Sequence, residues 1–156
     1  MQAIEYLNKA RKLDSQVERC REKEMELWTL VTSTTQVSNG MPHGSSDPDK
    51  ITNNMQKLLE ARKRTNVAVD KYVNAKQDII EHIKALPKRQ YEVLLWLYIN
   101  KREKRKPGQS WYYTWSEVAE NMGCTEQNVS KLRLKAIKNL QKILESDDKP
   151  QKYDCV

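Results

Sequence analysis

Apolar positions recur at helical spacing along almost the whole chain. From Ile4 to Val31 no Pro or Gly intervenes, and Leu13, Val17, Cys20, Leu27 and Val31 alternate by four and three, with Glu24 as the one polar intruder. Charged side chains fill the other faces, so this stretch predicts a long helix with a narrow seam for one partner helix. Ile51, Met55, Leu58, Arg62, Thr65, Val69, Tyr72, Lys76, Ile79, Ile83 and Leu86 hold the same spacing and predict a second long helix. Its polar seam residues, Arg62, Thr65 and Lys76, are of the kind that sets register more than stability. Between the two, residues 32–49 concentrate Ser, Thr, Asn, Gly, Pro and Asp and predict a flexible loop. The seams allow two pairings: an antiparallel hairpin within one chain, or a coiled coil that joins copies into a homo-oligomer.

Leu86-Pro87 closes the second helix, because the residue before a proline is pushed out of the helical region; Pro87 then suits the first position of a new one. Tyr91, Val93, Leu94, Leu95, Leu97, Tyr98 and Ile99 form the densest apolar cluster, which predicts a core helix covered on most sides. The basic run Asn100 to Gln109, with Pro107-Gly108, and Ser110 to Tyr113 after it read as loop. From Trp115 to Leu140 apolar residues at Val118, Ala119, Met122, Val129, Leu132, Ala136, Ile137 and Leu140 fall at helical spacing on both sides of Gly123. Thr114 and Glu117 make a capping box, Thr125 can cap the second helix, and Gly123 suits the left-handed turn between them. After Leu144 periodicity is lost, and residues 146–156 are expected to be disordered.

The expected architecture is all-α: residues 1–85 form two long helices, and residues 86–145 form a helix-turn-helix domain. Composition agrees, with 31 % charged residues, no Phe, 4 Gly and 5 Pro. The net charge of +7 is unevenly placed: residues 1–85 carry 14 basic and 12 acidic side chains, residues 86–145 carry 12 and 6. A surplus beside a helix-turn-helix would attract phosphate backbones through counterion release. Cys20, Cys124 and Cys155 are odd in number and widely spaced, which suits free thiols in a reducing compartment and no metal site. No run of about eighteen apolar residues and no export signal is found, so a cytoplasmic protein without a membrane partner is expected. His43 and His82 lack partners at ligand spacing, and no nucleophile, phosphate loop or carboxylate pair occurs, so neither a cofactor nor enzymatic activity is expected.

With Leu86-Pro87-Lys88-Arg89-Gln90-Tyr91-Glu92-Val93-Leu94 set before the helix-turn-helix, some sixty residues resemble region four of the housekeeping bacterial sigma factors. Ala119, Gly123, Val129 and Leu132 match the positions where that motif needs a small residue, a tight turn and two core contacts. The whole chain is similar to sigma-region-four-like transcription regulators of phages and prophages of Gram-positive bacteria. The resemblance implies recognition of a promoter element in double-stranded DNA and contact with RNA polymerase. Two departures qualify it: residues 101–113 are inserted ahead of the helix-turn-helix, and the recognition helix is less basic than is usual. Nothing resembles the sigma region that melts promoter DNA, so the chain is not expected to initiate transcription alone.

In a helix-turn-helix the exposed start of the second helix faces base edges, which makes Glu126, Gln127, Ser130 and Lys131 the candidate readers. Thr125, Asn128, Arg133, Lys135 and Lys138 are placed for phosphates, and Lys104 and Arg105 can reach the backbone from the inserted loop. Trp111, Tyr112, Tyr113 and Trp115 are expected to complete the small core in preference to stacking on bases. Two other readings remain: a coiled-coil adaptor that appropriates polymerase without touching DNA, and the DNA-recognition subunit of a phage packaging machine.

Overall fold

The computed structural model describes residues 1–33 and 48–148. Among them the chain is all-helical: α1 (Ala3–Ser33), α2 (Pro48–Ile83), α3 (Lys88–Leu94) running on into a wider π-helical turn (Leu95–Ile99), α4 (Trp115–Met122) and α5 (Glu126–Asp147). The loop expected over 32–49 is shorter at both edges. Thr32 and Ser33 complete α1, their hydroxyls donating to the carbonyls of Trp28 and Leu30, and Pro48 opens α2, where its missing N–H is no loss. Residues 34–47, with His43, lie outside the described residues. So do 149–156 with Cys155, although Ser146 and Asp147, expected in the disordered tail, still belong to α5.

The chain divides into two compact units, and the division does not fall at residue 86. One unit holds residues 12–73. There α1 and α2 run antiparallel within the chain, with Cys20, Lys23 and Leu27 facing Lys57, Ala61 and Arg64, and Gln16 facing Val67 and Lys71. Val17 and Leu58 are buried in the seam. Two of its polar intruders meet, the Arg62 guanidinium donating to the Glu24 carboxylate at 3.2 Å. Thr65 is buried and returns its hydroxyl to the Ala61 carbonyl at 3.0 Å. Burial, with the Asp14 carboxylate nearby, pushes the Tyr72 hydroxyl above its ordinary pKa. Met55, expected in the seam, is instead 45 % exposed.

The other unit holds residues 1–11 together with 74–156, so the first turns of α1 and the last turns of α2 build the C-terminal domain. The reason is that the apolar stripe of α1 begins earlier than Leu13: Ala3, Leu7 and Ala10 are all buried. Leu7, Ile79, Ile83, Val93, Leu94, Val118, Val129 and Leu140 are its fully buried large side chains. Polar ties fasten the same turns. The Ala3 N–H donates to Gln141 Oε1 at 2.7 Å, and Arg11 donates to the Leu97 carbonyl. His82, isolated in sequence, has Nδ1 2.9 Å from the Tyr6 hydroxyl and Nε2 3.3 Å from the Asp147 carboxylate. Burial and the carboxylates of Asp78, Asp147 and Glu81 push the Tyr6 hydroxyl up to about 12, so it stays protonated.

The core helix behaves as its apolar density predicts. α2 closes at Ile83, and Pro87 stands as the residue before α3, one place earlier than expected, with its carbonyl accepting from Tyr91 N–H at 2.9 Å. The π-helical turn then explains how Leu97, Tyr98 and Ile99 can all be buried in succession, since a wider turn rotates neighbouring side chains less than 100° apart.

If residues 1–11 belong to this core, Leu7→Ala should cost about 2–5 kcal/mol in urea unfolding, comparable with Leu140→Ala. A cost near zero for Leu7→Ala alone would detach the first turns of α1 from the domain.

Candidate nucleic-acid interface

The helix-turn-helix forms with the local chemistry its sequence prescribes. Thr114 Oγ1 accepts from the Glu117 N–H, and Glu117 Oε2 accepts from the Thr114 N–H at 2.7 Å, so the capping box is complete. Gly123 adopts φ 63° and ψ 39°, and the Cys124 N–H reaches back to the Ala119 carbonyl at 3.0 Å. Open space surrounds the position a Cβ would take, so glycine is required there by the left-handed backbone and not by crowding. Thr125 caps α5 by accepting from the Asn128 N–H at 3.3 Å. Ala119 and Val129 are buried and Leu132 is half-buried against the turn.

This geometry turns one face of α5 outward. Gln127, Lys131, Lys135 and Lys138 are exposed, and they lie within about one-quarter turn of each other around the helix. Leu134 is on the same face and is 54 % exposed. It interrupts no apolar period and was therefore not singled out in the sequence. Its only sequence signal is that it falls off the buried spacing.

Not every candidate sits on that face. Glu126 is exposed but accepts a hydrogen bond from Ser116 across the turn, and Ser130 is half-buried. Arg133 turns inward: its Nε donates to the Tyr98 hydroxyl at 2.8 Å and its guanidinium lies 5.4 Å from the Trp115 ring centroid. It is thus held by aromatic residues of its own domain. Asn128, Lys131 and Lys135 come together with Arg89 and Cys124 along a groove of about 280 Å³. Arg89, from α3, donates to the Met122 carbonyl at 3.1 Å, where it also satisfies the end of α4. Nothing in the sequence pattern links Arg89 to α5; only the packing of α3 against α5 does so.

The inserted residues have a defined path. Lys101 and Tyr112 form an antiparallel bridge, Arg102 N–H donates to the Trp111 carbonyl at 2.8 Å, and Gly108, at φ 78°, turns the chain at the far end. The expected loop is therefore a short hairpin-like arm with Lys104, Arg105 and Lys106 exposed towards its tip. Arg105 lies 4.9 Å from the Trp111 ring centroid and donates to the Gln109 carbonyl at 3.2 Å. The aromatic residues do not enter the core as expected. Trp111, Tyr112 and Tyr113 are half-buried, each with a cation over its ring, and Trp115 is 40 % exposed. Basic side chains lie over their rings instead: Arg11 over Tyr112, Lys101 over Trp111, Arg102 over Tyr113 and Arg133 over Trp115.

The arm is held to the helix-turn-helix at Arg102. Its side chain is buried, donates Nε to the Ser110 carbonyl at 3.1 Å, and offers Nη1 and Nη2 to the two oxygens of Glu117, Nη1 to Oε1 at 2.9 Å. Glu117 is also the capping-box carboxylate, so one side chain starts α4 and anchors the arm. The Thr114 backbone N–H holds its carboxyl below the usual range, and the Thr114 hydroxyl and Arg102 guanidinium act in the same direction against burial.

Among the described residues no cluster of His, Cys, Asp and Glu could hold a metal ion, and no helix is long and apolar enough to cross a membrane.

Because the folded carboxyl of Glu117 is depressed, its stabilisation is present above the unfolded carboxylate range and is lost as pH falls through the folded value. Glu117→Gln should cost about 1–3 kcal/mol at neutral pH. The gap between variant and parent in urea unfolding should close as pH is lowered towards 3; a gap independent of pH would deny the carboxylate this role. No family model matches the chain, and no curated protein or solved structure does, so its function is read from the exposed face of α5, the groove beside it and the arm.

Proposed function

We propose that the chain is a sequence-specific DNA-binding transcription regulator that inserts the start of α5 into the major groove. The carrying observation is the outward face of a capped helix after a glycine turn, where Gln127 and Lys131 stand exposed. Gln127 offers a bidentate pair to adenine, Lys131 a donor to guanine, and Leu134 an apolar contact to thymine. Asn128, Lys135 and Arg89 line the flanking groove for one phosphate strand, and Lys138 extends the basic face along α5. Lys104 and Arg105, on an arm with its own backbone pairing, supply a second cluster for the neighbouring backbone. Glu126, engaged by Ser116, and half-buried Ser130 fall outside this reading set. Contact with RNA polymerase follows from the likeness to sigma region four and would place the regulator at promoters.

A second reading, an adaptor that grips a protein without DNA, has one observation in its favour. In the unit of residues 12–73, Met25, Trp28, Leu30, Met55 and Leu59 are between 45 % and 64 % exposed, more apolar side chain than an inert helical pair needs to show. Filter binding across a salt series separates the two, since a steep slope with a preferred sequence belongs to the regulator and its absence to the adaptor.

At a selected duplex site, Gln127→Ala should cost about 1–3 kcal/mol and relax the preference at one base pair. The double change Lys104→Gln with Arg105→Gln should weaken binding evenly across sequences and lower the salt slope by about two. Unchanged base preference in the first variant, measured by selection from a random duplex library, would remove Gln127 from the reading face.

A further inference from the structure

In the unit of residues 12–73, two cavities of about 220 Å³ and 280 Å³ lie end to end along one side of the α1–α2 pair and share Arg64 at their junction. Their floor is apolar, made by Cys20 and Leu27 of α1 and by Ala61, Val67 and Ala68 of α2. Their rim is basic: Lys23, Lys57, Lys63, Arg64 and Lys71 line the groove, and Glu60 is its one carboxylate. We propose that this groove receives an acidic amphipathic helix of a partner protein, laid along α1 and α2 as a third helix.

The charge of the groove comes from placement and not from composition. Residues 12–73 carry 10 basic and 9 acidic side chains, so the unit is nearly neutral as a whole. Lys57, Arg64 and Lys71 stand seven residues apart, which puts them on one face of α2 in a row of about 21 Å. Among the described residues none of the five rim cations takes part in an ion pair, whereas Arg21 and Arg62 on the same two helices are held by Glu18 and Glu24. The rim thus lacks the carboxylates that the rest of the unit supplies to itself.

The floor decides which anion fits. Val67 is 53 % exposed and Cys20 and Leu27 are half-buried, so apolar surface stays open between the cations. A nucleic-acid backbone would meet the rim and leave that floor uncovered. A helix with apolar residues at four-three spacing covers the floor, and carboxylates flanking its stripe meet the lysines and Arg64 on either side. The row of cations matches about four turns of such a helix. Because the groove belongs to residues 12–73, it gives the regulator a protein partner in addition to the duplex read by α5.

The test uses a fluorescein-labelled, end-capped peptide of about sixteen residues with leucines at four-three spacing and glutamates beside them. In anisotropy titrations of the full chain it should saturate at one-to-one stoichiometry, and the same peptide with lysine in place of every glutamate should not bind. Arg64→Gln, at the junction of the cavities, and Val67→Ser, on the floor, should each weaken binding about tenfold or more. Arg21→Gln removes the same charge two residues before Lys23, on the opposite side of α1, and should leave binding within about twofold. Both Arg64 and Val67 are exposed, so circular dichroism should show their variants folded; if one is not, the other carries the test. Failure of the glutamate peptide to saturate, equal binding of the lysine peptide, indifference to both groove variants, or equal weakening by Arg21→Gln would overturn the proposal. Loss of random-sequence duplex binding in Arg64→Gln, with the peptide unbound, would assign the face to nucleic acid instead. The peptide titrations contain no duplex, so their outcome is independent of whether α5 reads a promoter.

Discussion

A single carboxylate, that of Glu117, sits where the local folding of the helix-turn-helix and the placement of the arm come together. It closes the capping box with Thr114, which lets α4 begin where it does, and it takes both ends of the Arg102 guanidinium. Arg102 in turn holds the Ser110 carbonyl on the returning strand of the arm. A buried arginine without that partner would strand a charge, so the arm and the start of α4 are energetically one feature. The basic tip of the arm is consequently carried on the same support as the turn that presents α5. A loop of thirteen inserted residues would otherwise lose much of its affinity for any ligand to the entropy of ordering it.

The two ends of the domain are closed in a comparable way by groups from distant parts of the chain. The first turns of α1 add Ala3, Leu7 and Ala10 to a core that the C-terminal helices alone would leave open, and Gln141, His82 and the Leu97 carbonyl receive their polar groups. The carbonyls that end the π-helical turn lack helical partners, and Arg11 satisfies one of them while lying over Tyr98 and Tyr112. In the unit of residues 12–73 the pairing of Glu24 with Arg62 answers two polar breaks in otherwise apolar seams with each other. Half-exposed, such a pair adds little to stability, but a register shift by one turn would leave both unpaired.

Much of this was legible beforehand because it depends on neighbours in sequence. The capping box at Thr114, the Thr125 cap, the left-handed Gly123, the start after Pro87 and the buried faces of α4 and α5 all follow from residues within four positions of one another. The seam of α1 was legible only from Leu13 onward, since Ala3 and Ala10, on either side of Leu7, are small and carry a weak apolar signal. The outward face of α5 was partly legible: Gln127, Lys131, Lys135 and Lys138 are exposed, whereas Arg133 differs from them by the presence of Tyr98, thirty-five residues away. Leu134 and Arg89 joined the site from positions with no pattern to mark them.

The sequence by itself determined the helices, the turn between α4 and α5 and the basic bias of the C-terminal half, because each rests on short-range periodicity, capping and charge. Tertiary structure decided which helix turns make up which unit, that the inserted residues return on themselves as an arm, and that the two seams meet within one chain. It also decided which cations remain exposed and which are spent on aromatic rings and carbonyls. These depend on contacts between residues tens of positions apart, whose free energy is set by shape and burial in three dimensions and leaves no periodic trace along the chain.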